Sequence, residues 1–84
     1  MYGVAVMTSG NFALRLADVL AKEGCFFEVI ATPCKIAIGG CGYSIKFPLE
    51  FKDQLLGAAK ANNIPVVSIY KVIPGITKNN YEKI

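Results

Sequence analysis

Histidine and tryptophan are both absent from the 84 residues. Without histidine there are no Ser-His or Cys-His nucleophile and base pairs, no zinc sites of mixed cysteine and histidine, and no histidine-based pH switch. Long hydrophobic runs are missing too: Lys, Glu, Pro or Arg interrupts every apolar stretch well before the roughly 20 residues that a membrane-crossing helix needs. No basic segment precedes an apolar one near the start, so a soluble, unexported, cytoplasmic protein with no membrane partner is expected. Charge is sparse, with nine Lys and Arg against six Asp and Glu for a net +3. The lysines at 22, 35, 46, 52, 60, 71, 78 and 83 are dispersed rather than striped, and nucleic acid is not an expected partner.

Apolar residues, by contrast, are plentiful. They make up 54% of the chain, and the mean hydropathy is +0.44. A chain this short forms one domain and buries only about two-thirds of the surface exposed when unfolded. An apolar surface paired with a second copy, a homodimer formed through the sheet, is the simplest home for the excess. The three cysteines, an odd number without an export signal, read as reduced thiols rather than a disulfide framework.

Periodicity divides residues 1–73 into one domain, followed by a polar tail over 74–84 that is expected to fray. Residues 2–7 form an apolar run suited to a central strand. Thr8, Ser9, Gly10 and Asn11 then supply N-cap candidates for a helix with Ala13, Leu16, Ala17 and Leu20 on one stripe, ended by Gly24. Phe26 to Ala31 reads as a second strand, closed by Thr32-Pro33. Tyr43 to Phe47 alternates, with Ser44 and Lys46 on a polar side expected to meet water or a partner. On the second strand either Glu28 with Phe26 and Ile30, or Phe27 with Val29 and Ala31, would share that open face. Pro48 suits the first turn of a second helix with Phe51, Leu55, Ala58 and Ala59 inward. Asn62-Asn63-Ile64-Pro65 stops it, and Val66 to Val72 is a fourth strand. The order β-α-β-β-α-β predicts an α+β, ferredoxin-like fold: a four-stranded antiparallel sheet in order 4-1-3-2 with both helices on one face.

Between the second and third strands lies a glycine-dense loop holding Cys34 and Cys41. It is longer than the usual connection of about 4 to 6 residues, which makes it the candidate site. The predicted topology gathers Thr8, Ser9 and Gly10 at the same sheet edge. Cys41 is the candidate reactive residue and Cys34 an accessory thiol. Three features would favour the Cys41 thiolate: the helix N-terminus, the Lys35 cation, and backbone N–H groups made accessible at Gly39, Gly40 and Gly42. The same donors would stabilise a persulfide or selenide. Cys25, beside Phe26-Phe27, reads as a small core hydrophobe, and Ser9, with no base at hand, as a helix cap rather than a nucleophile. No metal is expected, since two loop cysteines would complete a zinc site only by pairing across a dimer. No cofactor is required.

The short first strand, the polar turn, the helix reading Phe-Ala-Leu-Arg-Leu-Ala-Asp-Val-Leu, Thr32-Pro33, a variable loop, and Cys41-Gly42 opening a strand together resemble the Se/S carrier protein-like family over residues 2 to about 73. The resemblance implies a carrier of sulfur or selenium, with Cys41 at the position of the family's Cys-Gly and with donor and acceptor proteins as partners. Where this chain has Cys34, family members often have arginine. The alternative reading is a non-catalytic, homodimeric module that holds a small anion on the loop's N–H groups, the cysteines being incidental.

Overall fold

A computed structural model of the chain describes residues 1–37 and 42–84. The elements are β1 (Tyr2–Met7), α1 (Gly10–Lys22), β2 (Glu28–Ala31), β3 (Tyr43–Pro48), a 3-10 turn (Leu49–Phe51), α2 (Lys52–Ala61), β4 (Val66–Ile73) and β5 (Asn80–Lys83). All strand pairs are antiparallel, and the sheet runs β2-β3-β1-β4-β5.

The α+β class with two helices holds, and the first four strands keep the order 4-1-3-2, but the sheet is not the expected four-stranded ferredoxin-like one. Within residues 74–84, expected to fray, Asn80–Lys83 instead pair with β4 from Ile73↔Asn80 to Tyr70↔Lys83. The sheet therefore has five strands, and its order extends past β4. Tyr81 packs inward against the cluster formed by Val4, Val6 and Ile36, so β5 gains both a backbone ladder and an apolar contact.

Both helices end in the same way. Cys25 N–H donates to Leu20 O and Gly24 N–H to Ala21 O, with Gly24 at φ 87°, a left-handed conformation that glycine adopts without a Cβ penalty. At the end of α2, Ile64 N–H donates to Ala59 O and Asn63 N–H to Lys60 O, with Asn63 at φ 54°. Both stops fall where Gly24 and Asn63 predict them. Pro48 differs from expectation: with ψ 131° it ends β3 opposite Tyr2, and the 3-10 turn separates it from α2. Leu49 N–H donating to Met1 O prolongs the ladder past it.

One face of the sheet forms the main core. Leu16 and Leu20 of α1 and Leu55 of α2 meet Ala5, Ile45 and Phe47, all fully buried. Each such large side chain contributes about 1.5–3 kcal/mol by leaving water. Val29 and Phe27 pack against this core, while Glu28 and Ile30 pair with Lys46 and Ser44. That register settles which residues of β2 share the open face. Phe26 lies outside the strand and is 83% exposed.

The opposite face is only partly open. Residues 33–37 turn back over it, with Ile36 and Ala37 N–H groups donating to Pro33 O at 3.0 Å each, and Ile36 is buried with Val4 and Val6. Ser44, expected to face water or a partner, is instead fully buried. Its hydroxyl shares a 2.7 Å hydrogen bond with Thr32, which offsets the cost of removing both groups from water. The apolar residues that suggested sheet-to-sheet dimerisation are thus covered to a large extent within one chain.

Candidate functional site

The site is built at the edge where β1 ends, α1 begins, and the loop between β2 and β3 closes. Ser9 has extended backbone at φ −155° and caps α1, its Oγ accepting from Phe12 N–H at 3.3 Å. This is the cap that the polar cluster before an apolar stripe predicts. The first turn of α1 holds no acidic residue, so no side-chain charge there opposes an approaching anion. Thr8 is exposed, and Ser9 and Gly10 are partly so.

Two contacts bring the loop to this helix end. Thr32 N–H donates to Gly42 O at 2.8 Å, closing the loop at its base. The Tyr43 ring then lies against Gly10: a Cβ built there would come within 3.0 Å of Tyr43 Cδ2 and 3.3 Å of its Cε2. Glycine at position 10 is what permits this approach. At Gly42 a Cβ would meet, among the described residues, only Thr32 Oγ1 at 3.5 Å, an ordinary contact.

Gly39, Gly40 and Cys41 lie outside the described residues. Of the other candidates, Thr8, Ser9, Gly10 and Gly42 gather at this edge. Cys34 is exposed at the beginning of the 34–36 turn and is a free thiol. Lys35 goes elsewhere. Its ammonium donates to Asn79 O at 3.0 Å and to Asn80 Oδ1 at 3.3 Å, which directs its charge across the sheet to the connection between β4 and β5.

Cys25 is partly buried against the main core, and Gln54 Nε2 donates to its sulfur at 3.1 Å. It follows α1, at the far end of that helix from Ser9, in keeping with a packing role. Among the described residues no group of three or more His, Cys, Asp or Glu could hold a metal ion, and no helix is long and apolar enough to cross a membrane.

Two clefts, of about 300 and 280 Å³, flank Tyr2 and Lys46 at the opposite end of β1. Lys46 Nζ sits 4.7 Å from the centre of the Tyr2 ring, a contact worth about 0.5–1 kcal/mol at an exposed position. Among the described residues, neither cleft is lined by a cysteine. Sequence reasoning overlooked the burial of Thr32 and Ser44 beneath this edge; the only signal was two hydroxyl residues flanking the loop.

Comparison with known proteins yields one relationship. The family model described as Putative Se/S carrier protein-like matches residues 2–71. No curated protein and no solved structure matches the chain.

Proposed function

The chain belongs to the Se/S carrier protein-like family, and from that membership we propose that it relays a sulfur or selenium atom between proteins on the side chain of Cys41. The Cys41 thiolate attacks the terminal sulfur of a donor protein's persulfide. An S–S bond forms on Cys41 as the donor's S–S bond breaks, and the donor leaves as a thiolate. Delivery repeats the exchange onto an acceptor thiol, so neither step needs an outside oxidant or reductant. Selenium follows the same exchange through an S–Se bond. Cys34 is the accessory thiol: by attacking the loaded Cys41 it releases the outer atom as hydrosulfide or hydroselenide and leaves a Cys34–Cys41 disulfide, which a dithiol must reduce before the next cycle.

The observation that carries this reading is the family match over residues 2–71. The packing of Tyr43 on Gly10 supports it, because it brings the start of α1 to the strand that follows Cys41-Gly42. N–H groups at the helix start, with Thr8 and Ser9 beside them and those of Gly39, Gly40 and Gly42 in the loop, favour an anionic persulfide or selenide over its protonated form.

Intact mass after incubating reduced protein with a cysteine desulfurase and cysteine tests the relay. The expected result is a one-sulfur adduct that Cys41→Ser abolishes and Cys34→Ser retains. An adduct that persists in Cys41→Ser, or none in the unaltered protein, overturns it. The anion-holding alternative predicts instead that Cys41→Ser keeps a ligand-induced thermal shift, since a ligand that binds only the folded state raises its stability.

A further inference from the structure

We propose that the β4–β5 hairpin is a latch that holds the cysteine-bearing loop against the open face of the sheet and so regulates the loop's access to partners. The regulatory part rests on the relay reading; the latch itself stands on geometry. Its polar half is Lys35, which leaves the loop after Cys34 and donates to Asn79 O and Asn80 Oδ1. Its apolar half is Ile36, buried with Val4 and Val6 in a cluster against which Val72 of β4 and Tyr81 of β5 also pack. Two adjacent loop residues thus connect to the sheet by different chemistry, one to the hairpin connection and the other to the apolar cluster that the hairpin completes.

The two halves have different strengths. Ile36 is buried, whereas both Lys35 bonds are exposed to solvent and are individually weak because water competes for the same groups. A partner that engages Asn79 and Asn80 can take Lys35's acceptors while Tyr81 keeps its place against the apolar cluster. Asn79 and all of β5 also fall outside the span matched by the family model, residues 2–71. The Lys35 acceptors and β5 thus lie beyond the matched region, whereas Lys35, Ile36 and most of β4 lie within it.

Hydrogen exchange of the full-length chain, read over residues 32–37, tests the latch. Lys35→Met keeps the apolar stem and removes the donor. Exchange of the Ile36 and Ala37 amides is expected to accelerate about three- to tenfold, the range set by the loss of exposed hydrogen bonds, while the amides of β1 and β3 keep their protection. Asn80→Ala, which leaves the Asn79 carbonyl in place, gives a smaller acceleration, and Lys35→Arg, which keeps a donor, restores slow exchange. Unchanged exchange over 32–37 in Lys35→Met overturns the latch, as does an acceleration spread evenly over the whole chain. Because exchange does not depend on sulfur chemistry, a protein that shows the Lys35 effect but takes up no sulfur keeps the latch and loses the relay.

Discussion

The helix-bearing face of the sheet is closed by Leu16, Leu20 and Leu55, three side chains from two helices with no solvent exposure, whereas on the opposite face, among the described residues, the loop covers Val4 and Val6 with Ile36, beside Val72 and Tyr81 of the hairpin. The first cover is continuous and contributed by regular elements. The second belongs to a turn held by two N–H bonds to Pro33 O and an exposed lysine. Stability resides on the first face, and movement can be confined to the second, because unlatching a turn leaves the helices seated. The relay proposed above would use this division, since its loop would meet a donor and then an acceptor without the fold opening each time.

Three substitutions sharpen or break the comparison. Phe47→Ala should be the most damaging, removing a fully buried ring that packs with Phe27 at 6.1 Å between centroids; a loss of about 3–5 kcal/mol in denaturant unfolding is expected. Ile36→Ala should cost about 2 kcal/mol, with the loss of protection confined to the loop. If it equalled Phe47→Ala and melted both helices, the two faces would not be separable. Ser44→Ala should cost least, about 1 kcal/mol, since it leaves the buried Thr32 hydroxyl without its partner. A neutral result in thermal unfolding would mean that water serves Thr32 equally well.

Much of the helix-bearing face was legible in the sequence because it obeys simple periods. Ala13, Leu16 and Leu20 share a helical stripe and are buried together, and Ile45 and Phe47 alternate with Ser44 and Lys46 and are buried with them. The caps were legible because Ser9, Gly24 and Asn63 each answer a local backbone need. The open face was not. Ile36 is a single apolar residue in a loop, with no period to announce it, and Ser44 reads as solvent-facing until Thr32 and the turn fold over it. β5 was hidden for a related reason: Asn80-Tyr81-Glu82-Lys83 becomes a strand only by pairing with β4 and packing Tyr81. At the candidate site, the topology predicts the start of α1 beside the loop, and the Tyr43 ring at the start of β3 lies against Gly10. The destination of Lys35 depends on the hairpin and could not be read from spacing.

The central place of β1 has a consequence for biosynthesis. This strand is made before either of its neighbours, β3 and β4, and both its edges stay open until residues 43–48 and then 66–73 have left the ribosome. Gly3 to Met7 is apolar and carries no charge and no proline, the composition that pairs with other chains when an edge is unprotected. A chain interrupted before β4 would retain both helices and β3 but expose one side of its most apolar strand, making termination there a greater hazard to this protein than loss of β5 alone.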